Sequence, residues 1–236
     1  MPARRRARII ARFGTSEDSE PGTSRLCEVC ADVSLMSGAA IMLMSGEMPA
    51  GLCATDGVSA LIEELQYTLG EGPCVDAYRE DRPVLEPDLA DPVIPRWSAF
   101  TPPALAAGAL AVFGFPLRAG AVRLGALNLY RDRRGVLTGD QHADALVLAE
   151  VTALAVLTKQ ARAPEGEVGV DIELRLVVHE AAGMIAAQLQ VTVAEALLRL
   201  RAHAFATDRL ISDVADDVVA NRLRLDDPHR DQSPPA

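Results

Sequence analysis

Three apolar stripes near the carboxyl end set the tightest limits on what this chain can fold into. Between Ile172 and Leu225, the first stripe is Leu174, Val177, Val178, Ala181, Ile185 and Leu189, at helical i, i+3, i+4 spacing. The second is Val193, Ala196, Leu197, Leu200 and Ala204; the third is Ile211, Val214, Ala215, Val218, Val219 and Leu225. Start signals match the stripes. Thr192-Val193-Ala194-Glu195 reads as a capping box, with Thr192 as N-cap and Glu195 reaching back. Ser212-Asp213 offers a cap and a first-turn acid for the third helix. Three stripes on short connections need one shared core, so the segment predicts a compact three-helix bundle.

The face of the first helix opposite its stripe carries Arg175, His179, Gly183, Ala186, Ala187 and Gln190, placing residues at about 100° each. A mid-helix glycine costs about 1 kcal/mol relative to alanine. A bare face of this kind lets another surface approach the helix backbone. Packing against another helix of the protein and docking of a partner or nucleic acid both remain open.

Three runs carry a resemblance. They are Ala181-Ala182-Gly183-Met184-Ile185, Ala196-Leu197-Leu198-Arg199-Leu200-Arg201-Ala202-His203-Ala204, and Arg209-Leu210-Ile211-Ser212-Asp213-Val214-Ala215. Together they resemble the ANTAR domain, a three-helix RNA-binding module of bacterial transcription antitermination regulators. The family pattern is Ala-Lys-Gly, then Ala-Phe-x-x-Leu-Arg-x-x-Ala, then Arg-x-Leu-x-Asp-Val-Ala. This chain departs from it at Ala182, Gln190, Leu197 and Ile211. Two of these are mild core exchanges, whereas Ala182 removes the family's lysine. The resemblance implies RNA contact through Arg175, His179, Ala181, Ala182, Gly183, Arg201 and Arg209, with a pair of RNA hairpins as target.

Composition narrows the classes. The net charge of -10 is unlike that of a general polyanion binder, because phosphate affinity rests on Lys and Arg. Aromatic residues are only 4%, which argues against stacking platforms for single strands. RNA binding therefore has to rest on a local patch and on shape. The amino-terminal arginines lack a following apolar run of the kind a secretory signal needs. No stretch reads as long and apolar enough to span a membrane; Ala104 to Phe115 is too short. A cytoplasmic setting is expected, with Cys27, Cys30, Cys53 and Cys74 as thiols.

Earlier in the chain, residues 1–22 read as a disordered tail, with Arg4, Arg5, Arg6, Arg8 and Arg12 in it. Leu26 to Leu35 predicts a helix, Ala39 to Met44 a buried strand, Gly51 to Thr55 a returning strand, and Ser59 to Tyr67 a helix. Val84 to Glu86, Ala109 to Leu117 and Val122 to Tyr130 predict further strands. Trp97 and Phe100 are expected on a short helix. Thr138-Gly139-Asp140-Gln141 is a second capping box, opening a long helix to about Gln160. Strands beside hairpin-like neighbours, rather than regular βαβ units, predict an α+β domain with an antiparallel sheet.

The loop Leu69-Gly70-Glu71-Gly72-Pro73-Cys74, with Gly114-Phe115-Pro116-Leu117 and Gly125-Ala126-Leu127-Asn128-Leu129, is similar to sequences of GAF domains that precede ANTAR domains. The resemblance implies a GAF sensor over 23–160, antiparallel sheet flanked by helices, then a linker over 161–170, an ANTAR bundle over 171–226 and a frayed tail over 227–236. Met42, Met44, Cys53, Cys74, Trp97, Phe113 and Phe115 are candidate pocket walls for a small-molecule ligand, and equally candidate core. The helix Gly139–Gln160 is apolar nearly all round, so a second face needs cover. Either the matching helix of a second subunit supplies it, as a homodimer, or the amino-terminal helix does.

Catalytic motifs are missing from the sequence. His179-Glu180 has Gly183 where a zinc-protease helix needs histidine. Cys27-Glu28-Val29-Cys30 lacks the second pair that a structural zinc site wants. The expectation is a non-enzyme without metal or cofactor: a signal-responsive regulator of transcription antitermination. The alternative is a small-molecule-sensing dimer whose bundle binds a protein or holds RNA weakly.

Overall fold

In the computed structural model, residues 2–14, 23–45, 48–162, 173–207 and 209–225 are described. The chain divides into two compact units, Met1–Ile172 and Glu173–Ala236.

The first unit is built on a five-stranded antiparallel sheet, as its hairpin-like strand order predicts. The strands are β1 (Gly38–Ser45), β2 (Met48–Ala54), β3 (Val84–Glu86), β4 (Ala111–Ala119) and β5 (Val122–Arg131), in the order β2-β1-β5-β4-β3. Its helices are α1 (Pro2–Phe13), α2 (Thr23–Ser34), α3 (Gly57–Leu69), α4 (Pro73–Glu80), α5 (Thr101–Ala106) and α6 (Gly139–Arg162).

Register decides which side chains share a face. Ile41 pairs with Leu127, and Leu127 with Phe115; Ala40 pairs with Asn128, and Asn128 with Gly114. Successive residues point to opposite faces. Phe113, Phe115, Leu127 and Leu129 therefore join Ile9, Leu26, Cys30 and Leu148 in a core under α1, α2 and α6. Met42, Asn128 and Gly114 belong to the other face, where α3 and α4 pack.

The expected tail is instead helix α1. Ile9 is fully buried, and the arginines around it meet acids of α6. Arg8 donates to Asp144 at 2.8 Å, Arg5 pairs with Asp140 and Asp144, and Arg6 with Glu150. A basic helix beside an acidic face is what turned a tail-like sequence into structure. The pairs to Asp140 and Glu150 are exposed and contribute little singly, whereas Asp144 is buried between Arg5 and Arg8, so Ile9 and Asp144 carry the docking. Helix α1 thus covers part of α6 within the same chain. Leu146 and Leu154 of α6 stay exposed.

Helix α6 begins at the expected capping box: Gln141 N donates to Thr138 Oγ1 at 3.2 Å, and Thr138 N to Gln141 Oε1 at 3.1 Å. Contrary to expectation, this helix is long and apolar enough to cross a membrane. Ala145, Leu148, Ala149, Val156 and Thr152 are buried, and the helix packs on β4, α1 and α2 as a core helix. The expectation of four thiols is also corrected. Cys27 of α2 and Cys53 of β2 form a disulfide, leaving Cys30 and Cys74 as buried thiols.

The second unit is the predicted three-helix bundle: α7 (Glu173–Leu189), α8 (Val193–Ala206) and α9 (Ile211–Val219). Val178, Ala181, Ile185, Leu197, Leu200, Ile211, Val214 and Val218 are buried between them. Thr192 caps α8 as expected, accepting from Glu195 N at 3.2 Å. Gln190, where the ANTAR pattern has glycine, takes the left-handed conformation at φ 55. The Ser212 cap is not realised: the N-cap of α9 is Leu210, and Ser212 is buried inside the first turn.

Candidate functional site

On the α3–α4 face, the Leu69–Cys74 motif is fully used. Helix α3 starts at Asp56, whose side chain accepts from Ser59 N at 2.7 Å, and stops at Gly70 in the left-handed region, φ 65. Gly70 N donates to Gln66 O. Glu71 then reaches away and accepts from the amides of Ala99 and Phe100 at 2.8 and 2.9 Å. Gly72 has φ 130, and a Cβ there would stand 2.5 Å from Gln66 Cγ. Pro73 opens α4, where its missing N–H costs nothing. Cys74 N donates to Gln66 Oε1 at 2.7 Å. Gly114 of β4 lets this turn lie on the strand, for its Cβ would be 2.4 Å from Pro73 O.

A buried polar group results. Gln66, Glu63 and Cys74 are buried together, and Asn128, 3% exposed, points to the same side of the sheet from β5. Two amide atoms, Gln66 Nε2 and Asn128 Oδ1, are buried without a hydrogen-bond partner among the described residues. An unmet buried donor or acceptor costs about 1–3 kcal/mol, so atoms of this kind ask for a water or a ligand. Burial pushes the Cys74 thiol far above its ordinary value, and the Glu63 carboxylate adds to this while Gln66 opposes it. Cys30 is likewise pushed up to about 12 by burial, against a lowering contact from Thr152. Both therefore stay protonated at neutral pH and lack the thiolate a nucleophile needs.

Beside this group, Trp97 sits at φ 57 rather than on the expected helix, which begins only at Thr101. A bulky residue is strained there. Its indole N–H donates to Asp76 at 2.8 Å, the Arg96 guanidinium lies 4.5 Å over its ring, and Phe100 meets it edge-on.

The seven expected pocket walls divide. Met42, Cys74 and Trp97 belong to the α3–α4 side, and Met44 is half-buried two residues along β1 from Met42. Phe113 and Phe115 are on the opposite face, in the helical core, and Cys53 is spent in the disulfide. They cannot line one pocket with Met42. Glu63, Gln66 and Asn128 were not anticipated. Their signal was available: Asn128 is a lone polar residue inside an apolar strand, and Glu63 and Gln66 stand i, i+3 amid inward-facing Ile62 and Leu65.

In the second unit, α7 presents the expected bare face. Gly183, Ala187 and Gln190 are exposed and His179 half-buried. Among the described residues, and apart from the backbone of α7 itself, nothing lies within 4 Å of where a Gly183 Cβ would stand. Ala181 and Ala182 are corrected: both are buried in the bundle and cannot touch RNA. They sit on the stripe side of α7, so the small residues serve close helix packing. The Arg175 side chain lies outside the described residues. Arg201 is half-buried on α8. Arg209 donates to Asp217 at 2.7 Å, and Arg222 pairs with the same carboxylate. Those two hydrogen bonds hold Asp217 below the usual carboxylate range. Arg199 pairs with Glu195 at 2.7 Å. On α8, Leu198 and Phe205 are both more than half exposed.

The first unit has the α+β architecture of small-molecule and signal sensors. A family model described as GAF domain matches residues 23–156, more than half of the chain, and the chain belongs to that family. Solved structures agree on the fold. A domain of a sensor histidine kinase protein from Sinorhizobium meliloti 1021 is 18% identical, with TM-score 0.50, covering 62% of this chain and 96% of its own. The GAF domain of a phosphoenolpyruvate-protein phosphotransferase from Coxiella burnetii is 13% identical, with TM-score 0.52, covering 68% and 95%. No curated protein matches the chain.

Proposed function

We propose that this protein is a signal-responsive, non-enzymatic regulator: the GAF unit senses a small molecule, and the three-helix unit binds paired RNA hairpin loops to control transcription antitermination. The observation that carries the RNA half is Gly183. It stands mid-helix on an exposed face, with open space where a side chain would be. Such a glycine costs the helix about 1 kcal/mol and fills no internal need. Close approach by another surface gives it a use. Hairpin loops suit a small bundle, since splayed bases are read without entering a deep groove. The ANTAR resemblance adds His179, Arg201, Arg209 and Arg175 as contacts. Ala181 and Ala182 support the surface from beneath. A homodimer bringing two bundles together would suit a hairpin pair, and the exposed Leu146 and Leu154 of α6 favour that helix as the contact.

For the sensing half, the site is the group formed by Glu63, Gln66, Cys74 and Asn128. Two unmet amide atoms there await a partner.

The test is binding to a two-hairpin RNA against a scrambled RNA at low and moderate salt. Wild type prefers the hairpins. Gly183→Leu abolishes the preference without lowering the melting temperature, and Arg201→Ala weakens binding and flattens the salt slope. A second reading has a specific observation behind it. Arg199 and Arg209 are both engaged by acids, which favours a protein partner for this bundle. Equal affinity for both RNAs would falsify the RNA reading in favour of the second.

A further inference from the structure

Asn128 is a polar residue in the middle of an apolar sheet. It follows Leu127 and precedes Leu129 on β5, and its neighbours across the strands are Ala40 and Gly114. It is only 3% exposed, and its Oδ1 is buried. Its side chain makes no hydrogen bond to any described residue, so it caps no helix and closes no turn among them. An apolar residue of like shape would spare the fold the cost of an unmet polar group.

Register brings Gln66 to the same spot. Gly114 and Asn128 are cross-strand partners, their Cα atoms about 5 Å apart. The space that a Gly114 side chain would take is filled by the backbone of Pro73 and Cys74, with the Cys74 nitrogen 3.1 Å from where a Cβ would stand. That nitrogen donates to Gln66 Oε1 at 2.7 Å. The Gln66 amide therefore lies over Gly114, one strand from Asn128 and on the same face. The Cys74 bond also fixes which end of Gln66 is which. The oxygen is taken, and Nε2 is the buried donor left over. The charge in the group is that of Glu63, 5% exposed and near enough to act on Cys74. An anion is repelled there.

We infer that this group takes a small neutral molecule through a cis-amide edge, that of a lactam or a cyclic imide. The inference rests on the reading of the group as the sensing site. Donors and acceptors then match. The ligand N–H donates to Asn128 Oδ1. The ligand carbonyl accepts from Asn128 Nδ2 and, on its second lone pair, from Gln66 Nε2. An asparagine grips such an edge with two bonds, as it does the edge of adenine. The segment placed to admit the ligand is Trp97–Phe100. Trp97 sits at the strained φ of 57 and is tied to Asp76 of α4, and the Ala99 and Phe100 amides are tied to Glu71. Strain of that kind gathers at ligand clamps.

The experiment uses the full chain and three ring-matched probes: δ-valerolactam, N-methyl-δ-valerolactam and cyclohexanone. The last two keep the carbonyl and lack the N–H. Thermal shift of the sensor transition and saturation-transfer NMR at millimolar probe are the readouts. The lactam should bind about tenfold more tightly than either of the others. Asn128→Leu should abolish lactam binding and raise the melting temperature of the free protein by roughly 3 °C, because an unmet polar group is gone. Equal binding of all three probes, lost in Asn128→Leu, overturns the amide edge and leaves the sensing site standing. Lactam binding that survives Asn128→Leu overturns the inference too, since the ligand then sits elsewhere. No binding, with Asn128→Leu more stable than wild type, overturns the amide edge alone. No binding, with Asn128→Leu less stable, overturns the sensing site as well, since the two amides are then satisfied by a structural water. If Asn128→Leu fails to fold, the probe series on the wild type still decides.

Discussion

Gly114 and Gly183 both sit inside regular elements, one in each unit, and for opposite reasons. A side chain at Gly114 would drive into the backbone of Pro73; one at Gly183 would meet nothing. In the sensor unit the glycine is spent inward, seating α4 on the sheet. In the helical unit it is spent outward, on a surface left bare. The same residue type therefore marks a closed interior in one place and an approachable exterior in the other.

The sharpest way to break that contrast is to give both glycines a methyl group. Gly114→Ala should cost the sensor unit on the order of 3 kcal/mol, because backbone cannot yield as a flexible side chain does. Gly183→Ala should instead stabilise the helical unit by up to about 1 kcal/mol. Thermal unfolding followed by circular dichroism reads both; an equal response at the two positions would sink the comparison. An effect of comparable size belongs to the Cys27–Cys53 bridge, which spans 26 residues. Chain-entropy arithmetic for such a loop gives about 3.5 kcal/mol, so reduction should lower the sensor transition and leave that of the helical unit in place. Denaturing alkylation should count two free thiols before reduction and four after it. Smaller again is Thr192→Ala, which removes the cap of α8 and should cost about 1 kcal/mol in the helical unit alone.

The last effect appears only at alkaline pH. Burial raises the Tyr130 hydroxyl from an ordinary 10.0 to about 12, with its hydrogen bond to Asp56 adding to the rise. Between those values the unfolded chain loses the proton and the folded one keeps it. Stability therefore falls as pH climbs from about 10 towards 12. Tyr130→Phe should flatten that part of the stability profile, and an unchanged slope would count against Tyr130 as its source.

Much of the architecture was legible. The caps at Thr138 and Thr192 and the three stripes of the helical unit are local patterns, and local patterns survive in one sequence. The sheet strands were visible as apolar runs. The pocket was misassembled because faces depend on register. Alternation puts Phe113 and Phe115 on one face together, but nothing in the strands alone says that Met42 lies on the other. Helix α1 was missed because its few apolar residues among arginines signal a helix only once the acids of α6 stand opposite. The disulfide was missed because Cys27 and Cys53 are far apart in sequence, and their nearness is a product of the fold. Ala181 and Ala182 were placed outward by the family pattern, whereas their neighbours Val178 and Ile185 already defined the inward stripe.

Gln66 is a single pin through two hinges. Its backbone oxygen takes the amide that finishes one helix, and its side-chain oxygen takes the amide that begins the next. A molecule competing for that side chain takes the partner of the Cys74 amide and leaves the backbone bond at Gly70 in place. Hydrogen exchange at Cys74 should then quicken while that at Gly70 holds, and exchange that rose at both amides would show the two ends to be coupled.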